Sequence, residues 1–267
     1  MTARKEIFIV RAFCGESAKG NPAGVHLLKE SLPDRVLQSI ATQINLSETA
    51  FVLPQKDGHF TLRWFTPTCE VKLCGHATLA SAFILCSENK VGHQKMYFDT
   101  LSGTLEVQKI SPTEFELYFP RDSLFAVASV WGLKEALKCE VVEIYQGDED
   151  YLIVLEDDEK VKEVEPDFEK LKKIKTRGFI VTSKTNRAGF DFVSRFFAPS
   201  YGIQEDAVTG SAHRTLGEYW SKRLGSSTLR GYQLSTQGGI VNVRIEKNNT
   251  CLSGQACLEG KVEIFID

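Results

Sequence analysis

Several patterns are missing from this chain, and each absence removes a class of protein. No apolar run approaches the roughly 18–20 residues needed to span a bilayer, so a membrane protein built on helices is not expected. The seven cysteines stand at 14, 69, 74, 86, 139, 251 and 257, an odd number with no CxxC pair. That spacing speaks against a zinc knuckle, a thioredoxin-type centre or a disulfide framework. Neither HExxH nor an EF-hand loop occurs, and no bound metal is expected. Excess charge of one sign is missing too: the net charge is −3, without the basic footprint of a nucleic-acid binder. Arg4, Lys5 and Glu6 precede an apolar run too short for a secretory leader, which gives the expectation of a cytoplasmic protein.

What is present is ordinary in amount and informative in order. Hydrophobic residues make up 42% and charged residues 25% of 267 residues, as in a soluble globular chain. That length suits one large domain or two of about 130 residues. The order contains a duplication. Arg63-Trp-Phe-Thr-Pro67 is matched by Arg195-Phe-Phe-Ala-Pro199 in the pattern R-x-F-x-P. Gly75-His-Ala77 is matched by Gly210-Ser-Ala212, and Ser102-Gly-Thr-Leu-Glu-Val107 by Gly238-Gly-Ile-Val-Asn-Val243. The three offsets agree closely, and each is about half the chain.

Each copy has the same predicted layout. An aromatic-rich strand ends at a proline, which suits a strand exit. An irregular loop follows, at 68–74 and at 200–209. A helix with a small-residue start and an apolar stripe comes next, over 75–86 and over 210–222. Two alternating β segments close each copy, at 95–100 and 103–109, then at 231–236 and 240–246. Further strands are predicted at 6–13, 24–28, 48–54, 60–66, 114–120, 141–146, 151–155, 178–182, 190–197 and 261–266. A helix is predicted over 33–44 with Pro33 near its first turn. The charged stretch 156–175 reads as exposed helix and loop split at Pro166. The expected fold class is mixed α/β, with two pseudo-symmetric halves. The first spans residues 1–120 and is completed by the last strand, about 255–267; the second spans 121–254.

A helix start presents unpaired N–H groups and a partial positive charge. Two such starts related by the duplication suit an anion, most simply a carboxylate. They also suit removal of a proton beside that carboxylate, where charge develops on its oxygens. Such chemistry needs a base that can return the proton.

The stretches Gly20-Asn-Pro-Ala-Gly-Val25, Leu46-Ser-Glu-Thr-Ala-Phe51 and Glu70-Val-Lys-Leu-Cys-Gly-His-Ala-Thr-Leu-Ala80 resemble the PhzF (phenazine biosynthesis-like) family. So do Gly202-Ile-Gln-Glu-Asp-Ala-Val-Thr-Gly-Ser-Ala-His213 and Gln233-Leu-Ser-Thr-Gln-Gly-Gly239. The resemblance implies a diaminopimelate-epimerase-like fold, each half a β-sheet wrapped around a central helix, with the active site between the halves. It implies an isomerase that needs no metal or organic cofactor, acts on a small carboxylate and forms a homodimer. By the same resemblance Glu48 is the proton shuttle, with His76, Asp206 and Ser211 around the substrate. Ser47, Cys74, Gly75, Thr209 and Gly210 are substrate-binding, with Gly75, Thr209 and Gly210 acting through their backbone. One departure stands out: many relatives carry Arg before the late Gly-Gly, where this chain has Gln237. A guanidinium pairs a carboxylate bidentately and a carboxamide does not.

The residues themselves leave other readings open. Glu48 can be a solvated strand-end carboxylate, His76 a capping histidine and Asp206 a helix-capping acid. His213 is expected to pack rather than to bind. Cys74 invites a two-thiol racemase, but the equivalent stretch of the second half, Ala207-Val-Thr-Gly210, has no thiol. The alternatives to an isomerase are therefore an amino- or hydroxy-acid racemase or epimerase, and a metabolite-binding protein without catalysis.

Overall fold

The computed structural model describes residues 3–91 and 94–266, and divides the chain into two compact units. One unit runs to Tyr118 and resumes at Ser253; the other is Phe119–Leu252.

The first unit contains β1 (Ala3–Cys14), β2 (Asn21–Leu27), α1 (Asp34–Ile44), β3 (Thr49–Pro54), β4 (His59–Phe65), β5 (Glu70–Val71), α2 (Gly75–Ser87), β6 (Lys95–Thr100), β7 (Gly103–Lys109) and β8 (Glu114–Pro120). The long C-terminal strand β16 (Asn249–Ile266) returns to it. The main path is β1-β2-β3-β4-β6-β7-β8-β16, and β16 pairs back to β1 antiparallel from Ala3↔Ile266 to Cys14↔Gln255. Eight strands thereby close into a barrel, which removes the exposed sheet edge. The β2–β3 and β4–β6 pairs are parallel, each bridged by a helix, α1 and α2 respectively.

Helix α2 fills this barrel. Gly75 through Ala82, Ile84 and Leu85 are all buried. The predicted apolar stripe is therefore corrected to a helix apolar all round, as a helix enclosed by a sheet must be. Helix α1 lies outside, its Leu37, Ile40 and Ala41 packed with Ile7, Phe51 and Phe65. Pro33 sits at its N-cap, next to the first turn.

The second unit contains β9 (Phe125–Ala126), α3 (Leu133–Leu137), β10 (Glu143–Gln146), β11 (Asp150–Val154), α4 (Asp158–Glu163), α5 (Phe168–Leu171), β12 (Gly178–Lys184), β13 (Phe192–Phe197), α6 (Gly210–Leu224), β14 (Thr228–Gln233) and β15 (Gly239–Ile245). Its strands follow the order β9-β10-β11-β12-β13-β14-β15. The β11–β12 and β13–β14 pairs are parallel, which repeats the pattern of the first unit. Helix α6 packs on β11, β14 and β15 with Leu216 and Trp220 buried, and ends at Gly225 in the left-handed region. The short helices α4 and α5 fall within the charged stretch and flank Pro166. They are not wholly solvated, because Val161, Val164 and Leu171 are buried.

The duplicated R-x-F-x-P pattern has a structural cause. Arg63 forks onto Glu70, with Nε–Oε1 and Nη2–Oε2 both 2.7 Å, and lies over the Phe65 ring. Arg195 forks onto Glu205 at 2.7 and 3.0 Å and lies over Phe197. In each unit the arginine ties the loop after its strand back to that strand. The helix start that follows each loop is thereby held in place.

Candidate active site

The first unit gathers its polar residues at the start of α2. Cys74, the N-cap, is extended and buried, and His76 in the first turn is 4% exposed. Ser47 and Glu48 arrive on the segment entering β3, and the Glu48 carbonyl accepts from the Gly24 amide at 3.1 Å. Asn21 begins β2 and is 1% exposed. Its place depends on Gly20, which has φ +76° and whose absent Cβ would lie 2.5 Å from the Ala12 carbonyl oxygen.

These side chains converge on one imidazole. His76 Nε2 lies 3.2 Å from Glu48 Oε2 and 3.4 Å from Ser47 Oγ. His76 Nδ1 lies 3.3 Å from Asn21 Nδ2 and 3.5 Å from Cys74 Sγ. The Asn21 amide donates to Nδ1, while Nε2 and Glu48 Oε2 stand at ion-pair distance. Glu48 is 8% exposed, so this contact is made with little water. The reading of Glu48 as a solvated strand-end acid does not fit its burial. Ser47, Glu48, Cys74, Gly75 and His76 are brought together. Asn21 joins them, although sequence reasoning gave it no role; its signal was its place inside the Gly20–Val25 motif.

The second unit makes a different cluster at the start of α6. The N-cap is Thr209, and its hydroxyl donates to Asp206 Oδ2 at 2.6 Å. Asp206 thereby fixes the N-cap residue of the helix. Gln233 completes the frame, accepting from the Thr209 amide at 2.9 Å and donating to the Asp206 carbonyl at 2.8 Å. The Thr209 N–H, hydroxyl and carbonyl are thus all engaged, the carbonyl by His213 Nδ1 at 2.8 Å. Close packing holds this stretch as well: a Cβ at Gly239 would meet Val208 Cγ2 at 2.0 Å.

Ser211, one residue into the helix, accepts a hydrogen bond from Arg177 Nη1 at 3.1 Å. Arg177 Nε also donates to Asp150 Oδ1 at 2.8 Å, and its guanidinium lies over the Phe196 ring. No repeated motif contains Arg177, and nothing in the sequence marked it. The Asp150 carboxyl is pushed up by burial, with the guanidinium pulling it back. His213 is fully buried; its Nδ1–H donates to the Thr209 carbonyl at 2.8 Å and its ring packs beside Phe192. Burial lowers it to about 4. It packs, as expected.

All seven cysteines are free thiols. No helix among the described residues is long and apolar enough to cross a membrane.

Comparison with known proteins agrees with this architecture. The profile of the phenazine biosynthesis-like protein family (PhzC-PhzF) matches residues 10–261. An uncharacterized isomerase of Halalkalibacterium halodurans is 40% identical over 97% of this chain and 98% of its own length. The crystal structure of a PhzF-family phenazine biosynthesis protein from Enterococcus faecalis superposes with a TM-score of 0.93 and 40% identity, covering 99% of this chain and 100% of the other. A Pseudomonas aeruginosa structure described as a predicted epimerase shares the fold, with a TM-score of 0.76 at 18% identity over 98% of this chain and 100% of the other. With its barrel wrapped around a buried helix and a family match across almost its whole length, the chain belongs to the PhzF family of isomerase-type proteins with a diaminopimelate-epimerase-like fold.

Proposed function

We propose that this protein is a cofactor-independent isomerase that moves a proton on a small carboxylate-bearing substrate, with Glu48 as both base and acid. The reading rests chiefly on the Glu48–His76 contact of 3.2 Å, made by two side chains that are almost wholly buried. Glu48 removes a proton from carbon and returns it to another carbon. His76 orients the carboxylate through Nε2, and Asn21 fixes the ring from Nδ1. The first N–H groups of α2, beginning at Gly75, supply partial positive charge where the substrate carboxylate becomes enolate-like. In this reading Asp206, Thr209, Gly210 and Ser211 act on the same substrate molecule. On the family resemblance and the composition we further propose a cytoplasmic homodimer.

The test is incubation with a library of small carboxylic acids in heavy water, followed by mass spectrometry. Wild type should incorporate deuterium at carbon in one of them, and Glu48→Gln should lose about 10²- to 10⁴-fold of that rate. Exchange that persists unchanged in Glu48→Gln refutes the assignment. One observation favours a second reading: Cys74 Sγ lies 3.5 Å from His76 Nδ1, a thiol beside a base. If Cys74→Ser abolishes exchange while Glu48→Gln does not, the protein is a thiol-dependent racemase instead.

A further inference from the structure

Three side chains of the first unit form a donor set that proton transfer alone does not require. Cys74 Sγ, His76 Nε2 and Glu48 Oε2 come from three different donor classes, and the ligand atoms of this group all lie within 4.8 Å of one another. The His76–Glu48 separation is 3.2 Å and the Cys74–His76 Nε2 separation 4.0 Å. Zinc bonds of about 2.0–2.3 Å at tetrahedral angles place such atoms about 3.3–3.6 Å apart, so small rotations of the side chains would close the set. We propose that Glu48, Cys74 and His76 bind a zinc-class divalent ion, which occupies the proton shuttle and inhibits the enzyme reversibly. The inhibition rests on the isomerase reading given above; the binding does not.

Charge and donor chemistry both favour this ion. A dication with one thiolate and one carboxylate is neutral overall, so no unpaired charge is buried with it. A partial positive charge at the start of α2 works against any cation there. The same charge stabilises the Cys74 thiolate, which is the strongest ligand of the set. A mixed sulfur, nitrogen and oxygen site selects zinc or cobalt over magnesium or calcium. The Asn21 carboxamide stands 3.3 Å from Nδ1. Turned to present Oδ1, it accepts Nδ1–H and leaves Nε2 for the metal, the usual outer support of a ligating histidine. Three protein ligands leave a fourth position for water or a substrate oxygen. On binding, the Cys74 thiol loses its proton to solvent, so affinity rises with pH.

The test is titration of the full-length protein with cobalt(II) in a reducing buffer, followed by absorbance. Wild type should take up one equivalent and show a near-ultraviolet thiolate-to-cobalt band, with the strong visible bands of a four-coordinate ion. Zinc should displace the cobalt, and one equivalent of zinc should suppress deuterium exchange until a chelator is added. Cys74→Ser and Cys74→Ala should lose the near-ultraviolet band, with melting curves checking that each variant is folded. Glu48→Gln should bind about tenfold more weakly or worse. A control lacking the exposed Cys69 and Cys257 and the half-buried Cys14, C14S/C69S/C257S, should keep the band. A band that is absent from wild type, survives Cys74→Ser, or disappears with those three thiols overturns the site. The two readings separate cleanly: cobalt binding at Cys74 without any substrate exchange keeps the metal site and removes the isomerase, and exchange without cobalt binding does the reverse.

Discussion

Lowering the pH should weaken the second unit through one residue, His213. Its ring is fully buried, with Nδ1–H bonded to the Thr209 carbonyl and no partner among the described residues at Nε2. Burial lowers it from 6.5 to about 4, so the folded ring stays neutral where the unfolded one is protonated. The unfolded state binds the extra proton below pH 6.5, and stability therefore falls as pH drops from about 6.5 to about 4. At about 1.4 kcal/mol per pH unit, the full loss is about 3 kcal/mol, of which about 1.3 kcal/mol appears between pH 7.5 and 5.5. His26, also lowered by burial, acts in the same sense. Asp148 and Asp150 act in the opposite sense, because burial raises both and the folded state protonates them first as pH falls. The contribution of His213 is isolated by urea unfolding of wild type and His213→Leu at pH 7.5 and 5.5. Trp220 fluorescence is a suitable reporter, since that ring stacks on Phe192 beside the histidine. The variant starts lower, having lost a buried hydrogen bond, but its stability should fall less over this range by about 1.3 kcal/mol. Parallel losses in the two proteins would refute the account, as would an NMR titration showing the folded ring protonating near 6.5.

Two further substitutions probe the frame around α6. Arg177→Met should cost about 3–5 kcal/mol by leaving Asp150 buried without its cation. R177M/D150N should recover part of that in urea unfolding, while Arg177→Lys should not restore the fork. Gly239→Ala should cost about 1–3 kcal/mol because its methyl overlaps Val208, and Val208→Ala should relieve the loss in the same background.

Much of this was legible in the sequence, and what was missed has identifiable causes. Hydrophobic period and proline placement gave most of the strands, because half-buried strands must alternate and prolines must sit at their ends. The strand predicted at 261–266 is the tail of an 18-residue strand, Asn249–Ile266. Its earlier part was hidden because alternation there is broken by Gly254, Gly260 and exposed Cys257. Helix α3 is five residues long, too short to carry a period. Helix α2 departs from the predicted stripe because GHATLASAFILC holds no acid, lysine or arginine on any face, and that composition is the signal of full enclosure. Of the residues that cluster at the start of α2, Glu48 and His76 are picked out by the motifs. Arg177 is not, since it reaches Ser211 across 34 residues of chain and lies outside both copies of the repeat. Likewise the duplicated arginines were visible, but their clamps were not: Glu70 follows Arg63 by 7 residues and Glu205 follows Arg195 by 10, so no common offset exposes the pairing.

The duplication is symmetric in scaffold and unequal in chemistry, and the inequality follows from which residues each helix start received. In the first copy the N-cap is a thiol and the first turn carries an imidazole against a buried carboxylate. A thiol, an imidazole and a carboxylate are the side-chain types that serve in acid/base chemistry. In the second copy the N-cap is Thr209, the first turn carries Ser211, and the nearby acid Asp206 is taken up by the Thr209 hydroxyl. In the reading proposed above, this second cluster holds the substrate and the first moves its proton. A protein derived from two equal halves therefore needs only one copy to carry an acid/base group, and the other is free to specialise in holding. Moving proton-transfer chemistry into the second copy would take a titratable side chain at Ser211 or Ala207, and Arg177 beside Ser211 already favours an anion there over a base that must become cationic.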